Sequence, residues 1–173
     1  MKKSMIIMVV LFMVTGLSAF DKGTLNIGGS VSFDTFKEHP DMDRRNTIVF
    51  SPQLGYFVWE DLSADLLLNF SKVYHGELER EEVDYGIGFR YFIDQIYIGA
   101  GYMEKWTGMN NIDLISGHIN AKLGYLLPLS DYIFLNLSAD YLKGIGDYRG
   151  DMSGNNKQEE FKFKLGIDIY LSK

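Results

Sequence analysis

The sequence predicts an all-β protein: a secretory signal peptide over residues 1–19, then an eight-stranded antiparallel up-and-down transmembrane β-barrel over residues 20–173. Three observations predict it. The chain opens on two lysines and a short apolar run that ends in small residues. Eight later segments alternate apolar and polar residues with period two. The connections between those segments alternate between short and long.

The N-terminal segment comes first. Lys2 and Lys3 give a positive start, Met5 to Val14 is unbroken apolar sequence, and Gly16-Leu17-Ser18-Ala19 is a small-residue exit. That run is too short to cross a bilayer as a helix but matches the apolar part of an export signal. Cleavage is expected after Ala19, with Ser18 as the alternative because Leu17 is a mediocre residue three before the first cut. No cysteine follows, so a lipoprotein anchor is excluded.

The alternating segments follow in order. The first strand sets Leu25, Ile27, Gly29, Val31 and Phe33 on one face, against Asn26, Gly28, Ser30, Ser32 and Asp34. The second has Ile48, Phe50, Pro52, Leu54, Tyr56 and Val58 on its apolar face, and the third Leu62, Ala64, Leu66, Leu68 and Phe70. The fourth sets Val83, Tyr85, Ile87, Phe89 and Tyr91 against Asp84, Gly86, Gly88 and Arg90. The fifth has Ile96, Ile98, Ala100 and Tyr102 opposite Tyr97, Gly99, Gly101 and Met103. In the sixth, Ile115, Gly117, Ile119, Ala121, Leu123 and Tyr125 oppose Ser116, His118, Asn120, Lys122 and Gly124. The seventh has Ile133, Leu135, Leu137, Ala139 and Tyr141 against Phe134, Asn136, Ser138 and Asp140. The eighth runs Phe161, Phe163, Leu165, Ile167, Ile169 and Leu171 against Lys162, Lys164, Gly166, Asp168 and Tyr170. No apolar face carries a charge, an amide, or any hydroxyl other than tyrosine.

Residues 59–61, 92–95 and 127–131 read as short turns, whereas 37–47, 71–82, 103–114 and 142–160 read as longer polar loops. In transmembrane barrels the short turns are periplasmic, and an even strand count puts both termini on that side. Pro52 removes a ladder donor, so a bulge or local distortion is expected there.

Alternation alone does not say which face points out, because lipocalin-like barrels and sandwiches show the same period. Three features favour an apolar exterior. The polar positions are rich in Gly, Ser and Asn, which suit an interior just wide enough for side chains to fill. Glycines 28, 55, 86, 88, 99, 101, 124 and 166 would make room for Phe57, Arg90, Tyr97, Phe134 and Tyr170. The charges on that face nearly balance, with Asp34, Asp65, Asp84, Asp140 and Asp168 facing Arg90, Lys122, Lys162 and Lys164. Such balance is what a closed polar core needs, since an isolated buried charge costs several kcal/mol. Lastly, aromatics gather near strand ends. Tyr56, Trp59, Tyr91, Phe92, Tyr125 and Tyr132 lie by the short turns; Phe33, Phe50, Phe70, Tyr85, Tyr102, Trp106, Tyr141 and Phe161 lie toward the loops. Two such girdles mark two lipid–water interfaces. The expected location is therefore the outer membrane, with lipid as the main partner.

Composition narrows the function. The formal charge of −6 falls to −8 once Lys2 and Lys3 leave with the signal, and an acidic chain argues against a nucleic-acid partner. The absence of cysteine removes disulfides, thiolate metal sites and a cysteine nucleophile.

Two segments resemble a known family. Ser51-Pro52-Gln53-Leu54-Gly55-Tyr56-Phe57-Val58-Trp59-Glu60-Asp61-Leu62 resembles the strand-turn-strand unit of OmpA/OmpX-like outer-membrane β-barrels, as does Leu123-Gly124-Tyr125-Leu126-Leu127-Pro128-Leu129-Ser130-Asp131-Tyr132. The resemblance implies architecture, not activity. Members of that family often end in an aromatic residue, whereas this chain ends Tyr170-Leu171-Ser172-Lys173 with its last aromatic on the inward parity.

A few barrels of this size modify lipid A, so catalysis is worth testing. Ser116 and His118 share one face, with Asp140 conceivable across the seventh strand. Parity turns them into the lumen, away from a lipid substrate, while the resemblance would imply a lipid-facing pair. No enzyme activity, cofactor or metal is expected. A surface metal at His39 with Asp41 and Asp43, or at His75 with Glu77 and Glu79, is conceivable, but acidic loop tips with a stray histidine are common and are the preferred reading. The segment Lys143 to Gln158, with Gly144, Gly146, Gly150 and Gly154, lacks a phosphate-binding context. The expectation is a monomeric, non-enzymatic barrel with a filled lumen and a structural or surface role, its loops open to an unidentified extracellular ligand. The alternatives are a narrow transport channel, a lipid A-modifying barrel and a soluble periplasmic lipocalin-like barrel.

Overall fold

Each alternating segment becomes a strand, and each strand pairs antiparallel with its neighbours in sequence. The computed structural model describes residues 20–36, 45–75, 78–109, 112–150, 156 and 158–171. The strands are β1 (Leu25–Phe36), β2 (Arg45–Trp59), β3 (Leu62–His75), β4 (Leu78–Ile93), β5 (Ile96–Met109), β6 (Ile112–Pro128), β7 (Ile133–Gly150) and β8 (Glu159–Leu171). They close in sequence order, β8 returning to β1. Wherever the rungs are paired, closure removes sheet edges that could not survive in lipid.

The face assignment decides what kind of barrel this is. Ile27, Val31, Leu54, Leu66, Ile87, Ile98, Leu123, Leu137 and Ile167 all point outward and are exposed. Polar residues of the opposite parity, from Asn26 to Asp168, are buried inside. A soluble barrel of the lipocalin kind would reverse this arrangement. An apolar exterior running around all eight strands far exceeds the patches that soluble monomers tolerate, so lipid must cover it. Exposed Tyr56, Trp59, Tyr91 and Tyr132 ring the short-turn end, and Phe33, Phe50, Phe70, Tyr85, Tyr102 and Phe161 ring the other. Phe92 is the exception to the expected girdle. It has lumen parity and lies inside, 1 % exposed.

The strands are longer than the hydrophobic alternation suggests. Segments expected to be loops at 71–82 and 103–114 are largely β3–β4 and β5–β6 hairpin, paired out to His75↔Leu78 and Met109↔Ile112. Similarly, β7 absorbs residues as far as Gly150, so Gly144 and Gly146 are strand residues. The physical reason is that pairing outlasts the membrane. Outward positions at these ends are Lys72, Glu81, Glu104, Lys143 and Glu159, so the apolar signal vanishes while the ladder continues.

At Pro52 the local distortion is a gap in the ladder, not a bulge. The β2–β3 register is the same at Phe50↔Phe70 and Gln53↔Leu67, with the ladder lapsing only between them. The register shift falls instead between Phe57 and Trp59, beside the turn. A larger irregularity separates Ile115↔Arg149 from Gly117↔Ile145, where Gly146 takes a left-handed φ of 70°.

The closing seam is the shortest ladder. β1 and β8 pair only from Leu25↔Leu171 to Val31↔Leu165. Above that level both strands continue, β1 on β2 and β8 on β7, without registering on one another. Beside the seam an outer groove of about 770 Å³ is lined by Val31, Phe33, Leu123, Leu137, Phe163 and Leu165.

Candidate functional site

The lumen holds every buried charge among the described residues and is where function would be expected. It is built in layers. At the short-turn end Phe57, Phe92, Tyr97, Leu126, Phe134 and Tyr170 form one buried cluster. Their rings pack at centroid distances near 5 Å, with Phe57–Phe92 at 5.2 Å, Phe92–Tyr97 at 5.3 Å and Phe134–Tyr170 at 5.2 Å. Phe20 caps the cluster from below, stacked on Tyr170 at 4.3 Å. Gly124 makes this possible, because any Cβ there would overlap the Tyr97 ring.

Arg90 forms the next layer. Its guanidinium lies 5.2 Å over the Phe92 ring and 5.3 Å over that of Tyr97. From β4 it meets Asp65 on the adjacent strand β3, Nε to Oδ2 at 2.7 Å and Nη2 to Oδ1 at 3.0 Å. Nη2 also donates to Asn26 Oδ1 at 2.7 Å, and Nη1 to Asp168 Oδ2 at 3.3 Å. Asn136 donates to the same Asp168 oxygen at 2.9 Å and accepts from the Tyr97 hydroxyl at 2.9 Å. The Gln53 amide, oxygen facing the guanidinium, accepts from Nη2 at 2.6 Å. The planar five-donor fork thus meets acceptors from several walls at once.

Above it, Lys164 pairs with Asp140 at 2.9 Å and donates to Asn69 Oδ1 at 3.1 Å. Asn69 passes the network on to Asp84 Oδ2 at 3.0 Å, and Lys122 approaches Asp140 at 4.0 Å. Leu67, Met103 and Leu142 fill the space between. An interior cavity of about 20 Å³ remains here, between Ser30, Gln53, Asn69 and Lys164. That is room for about one water.

The outermost layer joins Lys105 to Glu160 and, at 3.6 Å, to Glu82; Lys162 meets Glu160 at 2.7 Å. Asn156 lies over Gly144, donating to the Gly117 carbonyl at 2.9 Å.

Of the charges singled out in the sequence, Asp65, Asp84, Arg90, Lys122, Asp140, Lys162, Lys164 and Asp168 all turn into the lumen. Asp34 sits opposite Thr47 in the β1–β2 ladder, and its side chain lies outside the described residues. Sequence reasoning missed Lys105, Glu82 and Glu160, which fell in presumed loops. The available signal was parity alone, since Lys105 continues the inward series of Gly101 and Met103, and Glu82 that of Asp84 and Gly86.

Ser116 and His118 are both buried in the lumen, and neither ring nitrogen of His118 makes a hydrogen bond of good geometry. The residue opposite His118 on β7 is Gly144, while Asp140 sits opposite Lys122 and bonds Lys164. Asp140 therefore does not orient His118, and no triad forms. His39, Asp41, Asp43, Glu77 and Gly154 lie outside the described residues, as do the side chains of His75 and Glu79. Among the described residues no group of three metal-ligating side chains assembles.

No protein-family model matches the chain, and no curated protein matches it in sequence. Solved structures do match its fold. The outer membrane protein AlkL, determined in DMPC lipid bilayers, superposes with a TM-score of 0.59 at 13% identity, covering 92% of this chain and 95% of that one. The Neisserial surface protein NspA gives 0.56 at 12% identity, covering 88% and 99%. OprG, an outer membrane protein of Pseudomonas aeruginosa, gives 0.52 at 12% identity, covering 89% and 98%. At this identity the likeness is one of fold, that of small eight-stranded outer-membrane barrels.

Proposed function

We propose, on the premise that this chain folds as a transmembrane β-barrel of the outer-membrane type, that it is a sealed, non-catalytic surface barrel of the bacterial outer membrane. Its buried charges are structural: they fill and lock the lumen instead of conducting or reacting. The strands hold a small rigid cylinder in lipid, and any ligand is met by the loop-bearing end.

One observation carries this reading. The aromatic layer and the Arg90 layer lie directly over one another and together fill the cross-section at the periplasmic end. A hydrated ion would have to displace a guanidinium that is bound bidentately to one carboxylate and singly to another. Buried pairs of that kind cost several kcal/mol to break. The Ser116–His118 pair faces this packed interior, where no lipid substrate has access.

Planar-bilayer recording tests the proposal. Purified protein should insert without stable current steps; reproducible ion-conducting steps would replace it with the narrow-channel reading. Gel mobility of outer-membrane fractions, with and without boiling, tests the location. A folded barrel should migrate differently before heating.

A further inference from the structure

Phe20, the residue that follows the expected signal cut, packs as a cap on the aromatic layer of the lumen. We propose that cleavage between Ala19 and Phe20 creates the group that closes the barrel: the freed α-ammonium of Phe20 pairs with Asp61 while its ring seats in the periplasmic mouth.

The geometry around that nitrogen is specific. Phe20 N lies 3.1 Å from Asp61 Oδ1, and Asp61 N donates back to the Phe20 carbonyl at 3.1 Å. Asp61 occupies the β2–β3 turn with a left-handed φ of 58°, and its own carbonyl accepts from Phe92 N at 2.8 Å. One turn residue therefore joins the cap to the aromatic layer. The Phe20 ring completes the joint, 5.0 Å from Phe57 and 5.1 Å from Phe92. Beyond it the chain is tied down by Gly23 N to the Phe57 carbonyl at 2.9 Å and Phe57 N to the Thr24 carbonyl at 3.0 Å.

Charge makes processing matter. In the precursor this nitrogen is a neutral amide with one hydrogen. A signal peptidase adds water across the Ala19–Phe20 bond, leaving a carboxylate on Ala19 and a protonated amine on Phe20. The same atom then carries a positive charge and three donors against a carboxylate already in place, which strengthens the contact. Cleavage after Ser18 would instead leave Ala19 as the free end and put no charge at this position. Among the described residues, the remaining charged groups at this end are Asp21 and Lys22 on the same stretch, Glu60 beside Asp61, and Asp94 and Asp131 on the other two turns.

The inference rests on the envelope location proposed above, and its test separates the two. Absence of the protein from outer-membrane fractions would defeat that location. If it is present there, its intact mass should correspond to a chain starting at Phe20; a start at Ala19 or earlier overturns the inference. The ion pair is read from the rate at which an amine-reactive acyl ester labels the α-amine as pH is varied. A neighbouring carboxylate raises an amine's pKa, whereas burial alone lowers it. In the wild type the midpoint should lie above the ordinary α-amine value of about 7.7–8.0. In Asp61→Asn it should fall back, with labelling near neutral pH about two- to fivefold faster, the span of an exposed to partly buried pair. Asparagine tolerates the left-handed turn, so that variant isolates charge. Should it fail to fold, the same profile on folded and urea-unfolded wild type decides the matter. An unshifted or lowered midpoint in the folded state overturns the pairing.

Discussion

Arg90 and Asp65 meet through both guanidinium edges and both carboxylate oxygens, at 2.7 and 3.0 Å, where each side chain is 2 % exposed or less. Deep burial makes the pair expensive to assemble and more expensive to break. Removing one partner strands the other in a medium that cannot solvate it.

Arg90→Met should therefore cost about 3–5 kcal/mol, because Asp65 and Asp168 both lose their cation. A urea refolding titration into lipid vesicles measures it. Adding Asp65→Asn should return part of that loss. A cost below about 1 kcal/mol would mean that the carboxylates are satisfied without the arginine.

On the outer wall, Leu137 is 46 % exposed among other apolar side chains. Leu137→Arg should cost roughly 2–4 kcal/mol if the residue meets the bilayer midplane. The same titration reads it, and a cost near zero would refute the lipid-facing assignment.

Packing at the mouth gives a third expectation. Gly124→Ala puts a methyl group into the space of the Tyr97 ring, which is buried and bonded to Asn136. Overpacking of this kind costs about 1–3 kcal/mol. Tyr97→Leu in the same chain should relieve it, and failure of that rescue would place the clash elsewhere.

Chemistry at Ser116 can be tested directly. Lipid A from cells with and without the protein should have the same mass. An acyl change that disappears in Ser116→Ala would make this an enzyme.

Much of the architecture could be read from the sequence because one physical rule governs every lipid-crossing residue. Within the bilayer, outward means apolar, so Leu135-Asn136-Leu137-Ser138-Ala139 announces both strand and face. Outside the bilayer the rule lapses on the outer wall. Lys72, Glu81, Glu104 and Lys143 meet water, and paired strand there resembles loop. Lys105 and Glu160 were hidden for that reason. Phe92 shows the reverse difficulty. An aromatic beside a turn suits either an interfacial girdle or a plug, and only consistent parity with Arg90 distinguishes them. Partner choice was beyond reach as well. Period two says that Asp140 faces inward but not that it meets Lys164 instead of His118, since that depends on strand register.

The half-length junction between the first and last strands has a consequence for the surrounding bilayer. Past Val31 and Leu165, amides and carbonyls that would have bonded across the gap require water, and hydrocarbon cannot supply it. Hydration must therefore dip lower on that flank than beside β4 and β5, whose rungs continue to Glu81 and Gly108. Phe33 and Phe163, 68 % and 73 % exposed, stand where the dip begins. The molecule should thin the outer leaflet on one side only, giving a cylinder with a built-in heading in the plane of the membrane.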